Sequence, residues 1–339
     1  MAELFDFEFL RKLCLADGVS GFEDSVRELI AEDIKPYCDE LYRDALGNLI
    51  AVRYGKDRNK RVMLCAHMDE VGFCIKYVND DGTLLFDQVG MSAHVLPSKR
   101  VKIGKDGVPG VIGLAPVHVT KGAKDIKISD LCIDVGASSK KEAQHIFGQY
   151  AVFDSDFCEF GDGLVKAKAL DDRIGCTVMC MLCKEQEFEC DTYFVFTVGE
   201  EVGGVGAASA TNAVNPDVCL VFEGTTASDI YGNDGADKVC CLKSGPVCPF
   251  MDGGTLYDAK MYEDIMRIAS EYSIPCQTKT RVAGGTDASK IQKTGKGYRV
   301  AALSLPCRYI HTSASIASKS DMENMYRLAK LILSVIHEM

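Results

Sequence analysis

Apolar and polar positions along the chain follow two kinds of pattern, one helical and one extended. Apolar residues recur at helical spacing over residues 4–16 and 22–36, which predicts two opening helices. Two short strands are indicated around LYRDALGNLIAVRYG, with a turn at residues 46–48. The next run, KRVMLCAH, is almost continuously apolar, which is typical of a strand buried on both faces.

The pattern changes after Gly72 to short β-rich runs that are separated by turns. These runs are FCIKYV, TLLFDQV, RVKIG, GVIGLAPVHV, LCIDVGA and YAVFDSDF. Turn signals lie between them, as at residues 79–82 and 105–107, and only residues 139–148 have helical spacing. Residues 73–160 are therefore predicted to form a small β-barrel-like domain inserted into another domain, with no recognisable catalytic residue of its own.

Strands and helices alternate again from about residue 164. Strands are predicted at DTYFVFTVG, DVCLVFEG and RVAALSLP. Helices are predicted over residues 171–186, 202–212, 256–272 and 320–339. The last helix has Ser320 as its predicted N-cap, with Glu323 three residues on. This alternation favours an α/β fold, a mixed sheet with helices on both faces, formed by residues 1–72 and 161–339 and interrupted by the insert.

Composition and charge limit the possible classes of function. The chain has 339 residues, enough for about two domains, and its 47% apolar and 26% charged residues are typical of a globular protein. A net charge of -11 argues against nucleic-acid binding, which needs a basic face. The start, MAELFDFEFLRKLC, lacks the features of a signal peptide, and no apolar run approaches the roughly 18 residues of a membrane span. We expect no membrane association and a cytoplasmic location.

Sixteen cysteines are the least usual feature of the composition. Many lie in apolar patterns, such as Cys176 in a predicted helix and Cys219 in the run VCLVF, and are predicted to be small buried residues in a reducing compartment. Two close pairs, at residues 180 and 183 and at 240 and 241, leave a thiolate metal or redox site as an alternative. The first pair, CMLC, has no turn residues and lies in a helical pattern, which disfavours that alternative.

Polar side chains collect where successive strands end, which is where α/β sheets place their functional sites. They are His67 and Asp69 after RVMLC, Glu200 and Glu201 after DTYFVFTVG, Glu223 at the end of DVCLVF, His311 after RVAALSLP, and Asp171 and Asp172 after GLVKAKAL. The sequence therefore predicts that two imidazoles and several carboxylates converge on one rim.

Each of these residues also has an ordinary structural explanation. His67 alone fits a hydrogen-bonded histidine at a strand end, and Asp171 or Asp172 fits a helix N-cap. Glu200 and Glu201 fit the negative start of a helix. Together, however, so many carboxylates would repel one another and could not all stay ionised without a cation. Histidines and carboxylates with no usable thiolate suit Zn²⁺, Co²⁺ or Mn²⁺.

The spacing within this set suggests separate tasks for neighbouring residues. Residues i and i+2 of a strand face the same way, so Asp69 can accept a proton from the far nitrogen of His67 and fix its tautomer. Glu200 and Glu201 diverge at a strand-to-helix turn, so one can bind metal while the other reaches toward an activated water. This division between ligand and general base is typical of a metallohydrolase.

Five motifs, in order along the chain, resemble those of a known enzyme family. They are HMDEVGF, AKALDDRIGC, VGEEVGGVGA, GGTDAS and RYIHT. Together they resemble the tetrahedral aminopeptidases of glutamyl and leucyl type, cytoplasmic dinuclear metallopeptidases with a zinc-peptidase-like catalytic domain, over nearly the whole chain. The resemblance implies that Asp171 bridges two divalent metal ions. It also implies that His67 and Glu223 complete one metal site, and Glu201 and His311 the other.

The same resemblance implies a catalytic role for Glu200 and a supporting role for Asp69. Glu200 matches the general base, and Asp69 matches the partner that orients His67. The peptide bond between Asp171 and Asp172 is expected to be cis. Hydrolysis is expected to begin only at a free peptide N-terminus.

The resemblance also concerns the insert, and the chain departs from it at one ligand position. The insert, residues 73–160, resembles a dimerisation domain whose dimers build a hollow tetrahedral dodecamer, so short peptides are the expected substrates. Many members of the family carry aspartate where this chain has Glu223, and Asp229 is the alternative ligand. The expected metals are zinc or cobalt, with manganese as a further option.

Two other functions stay open at this point. A glycoside hydrolase would use two carboxylates about 5 to 9 Å apart across the scissile bond. The vicinal pair Glu200 and Glu201 and the lack of tryptophan disfavour it. A non-catalytic scaffold of the same fold would be favoured if a ligand or the base were missing, and the sequence has candidates for all of them.

Overall fold

Residues 4–120 and 125–339 are described by the computed structural model of the chain. Residues 1–3, at the start examined for a signal peptide, and residues 121–124 of the predicted insert lie outside the described residues. The first elements are α1 (Phe7–Leu15), α2 (Asp24–Ile34), β1 (Glu40–Arg43), β2 (Leu49–Arg53) and β3 (Asp57–His67). The two predicted helices, the strand pair and the long apolar strand are therefore confirmed.

The next segment of the chain forms a closed barrel. Its elements are β4 (Gly72–Val78), β5 (Leu84–Val89), β6 (Arg100–Ile103), β7 (Val108–Leu114), α3 (Val117–Thr120), β8 (Leu131–Asp134), α4 (Lys140–Ala143) and β9 (Tyr150–Phe153). The strands close in the order β4-β5-β8-β7-β6-β9 with antiparallel neighbours. The ring of Phe73 meets the edges of Phe86 and Phe153 in the barrel core, with centroids 5.2 and 5.4 Å apart.

One β-rich run of this segment was assigned wrongly at its end. Residues 110–119 were predicted as a single extended run, but β7 ends at Leu114 and residues 117–120 form the short helix α3. The cause is Pro116, whose fixed φ suits the start of a helix and which has no N–H to continue a strand ladder. Its carbonyl oxygen accepts the N–H of Val119 at 2.8 Å, which closes the first turn.

The rest of the chain returns to alternating strands and helices. Its elements are β10 (Cys158–Phe160), β11 (Leu164–Ala167), α5 (Leu170–Cys183), β12 (Cys190–Thr197), α6 (Val205–Val214), β13 (Val218–Thr226), α7 (Ala259–Glu271), α8 (Ala288–Lys293), β14 (Arg299–Cys307), β15 (Ser315–Ser318) and α9 (Lys319–Val335). The central sheet has the order β1-β2-β12-β3-β13-β14. Its last four strands are parallel and β1 and β2 are antiparallel, so the predicted mixed sheet is confirmed.

Helices cover both faces of this sheet, as predicted. On one face, α1, α2, α5, α7 and α9 bury apolar side chains against the strands in one large core. On the other face, α6 and α8 form a smaller core with the opposite sides of β3, β12, β13 and β14. Because the four parallel strands are buried on both faces, their sequences are continuously apolar and not alternating.

The start of the last helix differs from the prediction. Helix α9 begins at Lys319, and its N-cap position is Ser318, not Ser320. Strand β15 runs to Ser318 and turns directly into the helix, so Ser320 already lies in the first helical turn. The hydroxyl groups of Ser318 and Ser320 lie 2.8 Å apart. Local spacing alone did not indicate that a strand precedes the helix without a linker.

The two ends of the barrel segment along the chain connect it to the α/β part. Strand β10 pairs with β11, and β11 pairs with β15, in a separate three-stranded antiparallel sheet. The barrel itself ends with β9 at Phe153. At the other end of the segment, β4 begins at Gly72, five positions after β3 ends at His67. The barrel therefore adjoins the carboxyl end of the central sheet.

The cysteines are free thiols, and the ones predicted to be small buried residues in a helix are buried. All sixteen cysteines are free thiols, and Cys176, Cys180 and Cys183 are buried within α5. No cysteine belongs to any cluster of potential metal ligands found in residues 4–120 and 125–339. Within the same ranges, no helix is long and apolar enough to cross a membrane.

Candidate active site

The predicted site residues meet at the carboxyl ends of the parallel strands. His67 is the last residue of β3 and pairs in register with Thr197 at the end of β12. Glu200 and Glu201 follow the end of β12 after two intervening residues, and Glu223 lies within β13. His311 lies between β14 and β15. Parallel strands bring their carboxyl ends to one edge, so residues far apart in sequence become neighbours.

One group of ligand atoms forms around His67. Its Nε2 atom lies 3.0 Å from Glu223 Oε1 and 3.4 Å from Asp171 Oδ1. The three residues offer ligand atoms that all lie within 4.8 Å of one another. All three side chains are buried, so they face the site and not bulk water.

A second group forms around His311 and shares Asp171 with the first. The Nε2 atom of His311 lies 3.2 Å from Asp171 Oδ2 and 3.5 Å from Glu201 Oε1. These ligand atoms also lie within 4.8 Å of one another. Asp171 therefore presents one carboxylate oxygen to each histidine, which is the arrangement of a carboxylate between two neighbouring cations.

The backbone around Asp171 holds that carboxylate in place. Asp171 and Asp172 have non-helical backbone angles at the start of α5, and the peptide bond between them is cis, as predicted. Asp171 Oδ1 also accepts the N–H of Gly224 at 3.0 Å, and Asp172 Oδ1 accepts the N–H of Gly175 at 3.0 Å. Asp172 is thus the N-cap of the regular part of α5, and Asp171 is free to face the site.

The electrostatics of the two groups fit divalent cations. Glu223 Oε2 is buried and has no hydrogen-bond partner among the described residues. Burial raises the pKa of Glu200 to about 9 and that of Glu201 to about 7. The protein alone therefore stabilises these carboxylates poorly as anions. Cations among them would offset that cost, and imidazole and carboxylate are suitable ligands for Zn²⁺, Co²⁺ or Mn²⁺.

Asp171 differs from the glutamates because it already has cationic partners. Burial alone would raise its pKa, but the hydrogen bonds from His311 and His67 lower the pKa of Asp171 well below its ordinary value. Burial opposes the charged form of His311, yet the Asp171 carboxylate raises the pKa of this imidazole to about 9. Without a metal, protons on the imidazoles supply the positive charge that the shared carboxylate requires.

The contacts of Asp69 differ in part from the prediction. The Nδ1 atom of His67 lies 2.9 Å from the main-chain oxygen of Asp69 and 3.4 Å from its carboxylate Oδ1. The main-chain carbonyl is therefore the nearer acceptor, and it keeps the proton on Nδ1 and leaves Nε2 for a metal. The backbone turn after β3 brings this carbonyl back toward the ring, which strand spacing did not predict.

The carboxylate of Asp69 instead holds the loop that carries both glutamates. It accepts the N–H groups of Glu200 and Glu201 at 3.0 and 3.1 Å and the hydroxyl of Ser20 at 2.6 Å. Asp69 is fully buried. Its carboxylate thus orients the two consecutive glutamates, while its main chain orients His67.

The barrel contributes a main-chain contact to the site, although the insert was predicted to contain no recognisable catalytic residue. The main-chain oxygen of Gly90 lies 2.7 Å from His311 Nδ1 and leaves Nε2 of that ring for a metal. Gly90 has a φ of +72°, and a Cβ atom there would lie 2.4 Å from Glu201 Oε2. Only glycine fits this position. In the sequence it looks like an ordinary turn glycine, so no signal distinguished it.

The contacts of Glu223 and Asp229 differ, and these two acids are the alternative candidates for the ligand beside His67. Both carboxylate oxygens of Asp229 are occupied by Arg308, at 2.7 Å from Nε and from Nη2, and one of them also accepts the N–H of Leu242. Glu223 lies beside His67. The geometry therefore favours Glu223, and the salt bridge gives Asp229 a structural role.

A cavity of about 400 Å³ opens over the two groups. Its walls come from six segments: the barrel loop after β5, the end of β13, the glycine-rich loop before α8, the loop that carries His311, the start of α5 and the loop after β12. The GGTDAS motif, quoted above only for the resemblance, supplies part of the third wall. Its Asp287 accepts the hydroxyl of Thr197 at 2.6 Å beneath the Glu200 loop.

Comparison of the sequence with known families and proteins gave consistent results. The sequence profile described as M42 glutamyl aminopeptidase matches residues 47–328. A putative aminopeptidase of Acetivibrio thermocellus is 36% identical, over 95% of this chain and 96% of that protein. The lysyl aminopeptidase of Pyrococcus furiosus is 32% identical, over 99% of both chains.

Solved structures with a similar fold include two peptidases and one protein named endoglucanase. An aminopeptidase from Desulfurococcus kamchatkensis has a TM-score of 0.92 and 36% identity, covering 96% of this chain and 94% of that chain. The TET1 peptidase of Pyrococcus horikoshii, described as assembling into a tetrahedron or a large octahedral shell, has a TM-score of 0.85 and 31% identity, with 96% and 98% coverage. A Thermotoga maritima protein named endoglucanase has a TM-score of 0.81 and 34% identity, with 97% coverage of both chains.

Proposed function

The chain belongs to the M42 glutamyl aminopeptidase family and is a peptide hydrolase, and on this premise we propose that it is a dinuclear metalloaminopeptidase. It would remove residues one at a time from the free N-termini of short peptides. The observation that carries the proposal is the position of Asp171, with one carboxylate oxygen near each of two histidine-containing groups.

The two groups support a proposed set of metal ligands. His67, Asp171 and Glu223 would hold one cation, and Asp171, Glu201 and His311 would hold the other. When bound, two divalent cations would polarise the scissile carbonyl and lower the pKa of the attacking water. Imidazole and carboxylate ligands accept zinc, cobalt or manganese, and we propose zinc or cobalt as the usual occupants.

Glu200 is the proposed general base. It lines the cavity beside the two groups, and its backbone is fixed by the carboxylate of Asp69. A carboxylate in this position can accept the proton of the attacking water and later donate it to the leaving amine. The free amine of the substrate would face the carboxylates of Glu200 and Glu201. An acyl group on that nitrogen would remove the positive charge that these carboxylates attract.

This requirement for a free amine provides the test of the proposed activity. With zinc or cobalt present, the protein is expected to release the first residue of an unblocked tetrapeptide and to leave the N-acetylated form of the same peptide intact. Liquid chromatography of the products measures both reactions. Rapid cleavage of the acetylated peptide would refute the aminopeptidase assignment, and release of internal fragments would indicate an endopeptidase.

The glycoside hydrolase alternative has no observation of this site in its favour. Its carboxylates converge with two histidines, a donor set suited to cations, and glycoside hydrolysis does not require metal ligands. The endoglucanase name belongs to the Thermotoga maritima protein. The scaffold alternative is also disfavoured, since every predicted ligand and the base lie within the site.

We also propose that the insert, residues 73–160, mediates dimerisation and that six dimers form a tetrahedral dodecamer. Val111 and Leu114 at the end of β7 and Phe147 after α4 are 45, 37 and 55% exposed on the barrel segment. Exposed apolar groups of this kind support an interface. The TET1 peptidase supports homo-oligomeric assembly as well. A hollow particle would admit short peptides and exclude folded proteins.

Sedimentation velocity tests this assembly. The expected species is a particle of twelve subunits of 36.9 kDa, in exchange with dimers. The measurement is made before and after chelation, because metal binding can organise loops at an interface. A strict monomer at micromolar concentration with full peptidase activity would contradict the proposed cage.

The proposed location is the cytoplasm. Sixteen free thiols, many of them buried, fit a reducing compartment. The net charge of -11 gives no support to a nucleic-acid partner. We therefore propose short peptides and further copies of this chain as the partners.

A further inference from the structure

Two free thiols from distant parts of the chain are in contact outside the active site. The sulfur atoms of Cys38 and Cys183 lie 3.7 Å apart, although the two residues are 145 positions apart in the sequence. Cys38 follows the single helical turn after α2, and Cys183 is the last residue of α5. Among the described residues, no other two cysteines are hydrogen-bonded to each other. The proposed mechanism gives this pair no role.

Arg53, at the end of β2, holds the two cysteine-bearing segments together. Its Nη1 atom donates to the main-chain oxygen of Cys183, and its Nε atom lies 3.7 Å from Oδ2 of Asp39, the neighbour of Cys38. The N–H of Asp39 also donates to the oxygen of Val52 at 2.9 Å. The surrounding chain therefore keeps the two thiols in contact.

The two thiols differ in their access to solvent. Cys38 is half-buried, and its neighbours Tyr37 and Asp39 are exposed. Cys183 is fully buried. A small solute in the surrounding water therefore meets the sulfur of Cys38 first. The Cys38 thiol donates to the main-chain oxygen of Ile34 at 3.1 Å, so in the contact between the two sulfurs it accepts the S–H of Cys183.

The same contact makes Cys38 the thiol that ionises first. The hydrogen bond from Cys183 lowers the pKa of Cys38, and burial and the charge of Arg53 act in opposite directions on it. The pKa of Cys183 is raised by the hydrogen bond that it donates and by its burial. The thiolate is the nucleophilic form of cysteine. An accessible thiol that ionises first beside a second thiol is typical of a cysteine that reacts with peroxide and is then resolved by its neighbour.

We propose that Cys38 is a modification site for hydroperoxides and that its oxidation ends in a disulfide with Cys183. The Cys38 thiolate attacks one peroxide oxygen and becomes a sulfenic acid, while the O–O bond breaks and the second oxygen leaves and takes a proton. The Cys183 sulfur then attacks the Cys38 sulfur, and the thiol proton and the sulfenic hydroxyl group leave as water. In total the two thiols lose two electrons, and the peroxide gains them.

The two sulfur atoms must move closer by about 1.7 Å to reach a disulfide length of about 2.05 Å. Cys38 lies between the helical turn and β1, outside both elements, so its side chain and backbone can shift without breaking a helix or a strand. The sulfenic acid is also neutral. It no longer holds the proton on Cys183 as the thiolate does, so the second thiol ionises more easily once the first is oxidised.

The disulfide is expected to stabilise the fold. It would close a loop of 145 positions, and such a crosslink restricts the unfolded chain. The length of α5 separates Cys183 from Asp171 by about 20 Å, so the metal groups are not part of the modified region. In a reducing compartment the bond would form only under oxidative conditions and would be reduced afterwards.

Mass spectrometry of the metal-loaded, full-length protein tests the proposal. The protein is treated with a small excess of hydrogen peroxide, the remaining thiols are blocked, and tryptic peptides are analysed without reduction. The expected product joins the peptide of residues 28–43, which contains Cys38 alone, to the peptide of residues 174–184. Fragmentation identifies which cysteine of the second peptide is linked. A bond from Cys38 to any other cysteine, or oxidation confined to other cysteines, would overturn the proposal.

Three variants test the order of the two steps. Cys183→Ala removes the resolving thiol, so dimedone, which labels sulfenic acids, should react with Cys38 after peroxide treatment. Cys183→Ser, which keeps a hydrogen-bond donor, replaces it if the alanine variant does not fold. Cys38→Ser should form no crosslink, and labelling of Cys183 in this variant would contradict the proposed order. Cys158→Ser is the matched control, because it removes a half-buried thiol with no thiol partner among the described residues, and it should form the crosslink as wild type does.

Calorimetry tests the expected gain in stability. The Tm of oxidised wild type should exceed that of the reduced protein by about 5 °C, and dithiothreitol should reverse the gain. Peroxide should leave the Tm of Cys38→Ser without such a gain. A lower or unchanged Tm of the crosslinked wild type would contradict the stabilising role. None of these measurements uses peptide hydrolysis, so they decide the inference independently of the proposed function.

Discussion

Replacement of Glu200 by glutamine is expected to lower kcat by about 10²- to 10⁴-fold while the bound metal stays unchanged. Glutamine has nearly the same size and can occupy the same position in the cavity wall. It cannot accept a proton from water, so the general base is lost. The main-chain N–H of Glu200 donates to the carboxylate of Asp69, and the substitution does not alter this contact. The loop is therefore expected to keep its shape.

Glu201→Gln is the matched comparison, because the two glutamates are adjacent and have different proposed tasks. Glu201 belongs to the group that contains Asp171 and His311. Its replacement is expected to lower metal content, with activity partly restored by excess metal. Metal analysis and initial rates on the same samples distinguish the variants. Near-full activity of Glu200→Gln would show that Glu200 is not the base.

Removal of the metal is expected to abolish peptide hydrolysis. Bulk water has a pKa of about 15.7, and a metal site lowers that value to about 7, so the chain's own residues cannot generate the nucleophile equally well. Asp171 lies beside both histidines and would serve both proposed cations, so their affinities should be linked. Zinc, cobalt or manganese added back to chelated protein should restore activity, whereas magnesium, which prefers oxygen ligands, should restore little.

The convergence of the site was predictable from the sequence for a physical reason. A continuous apolar run identifies a strand buried on both faces, and parallel strands present their carboxyl ends at one edge. These two rules predict that His67, Glu201, Glu223 and His311 lie close together. Asp171 was included because it follows the run GLVKAKAL, and its bridging role was implied only by the family resemblance.

Three features of the site could not be predicted, since each depends on a contact between distant segments. Gly90 belongs to the barrel, and only its fold brings its carbonyl oxygen to His311. Lys279 lines the cavity, but it lies in an irregular segment whose position is set by hydrogen bonds to other loops. The carboxylate of Asp69 serves the loop after β12 more than it serves His67. Periodicity and spacing report on local structure and contain no information on such pairings.

The choice between Glu223 and Asp229 shows the same limit. Both acids lie in or just after β13, so the sequence left either of them as a candidate ligand. Arg308, the residue after β14, binds both oxygens of Asp229, and in the described parts of the chain no such partner occupies Glu223. The salt bridge with Arg308 distinguishes Asp229 from Glu223, whereas the positions of the two acids along the chain do not.

A metal titration followed by metal analysis and activity on the same samples tests the dinuclear account most directly. Chelated protein receives increasing zinc or cobalt, bound metal is counted by mass spectrometry, and the release of the first residue from an unblocked peptide is measured at each step. The account predicts no hydrolysis without metal and a maximum rate at two bound ions per subunit. Full hydrolysis by metal-free protein, or a maximum rate with a single bound ion, would contradict it.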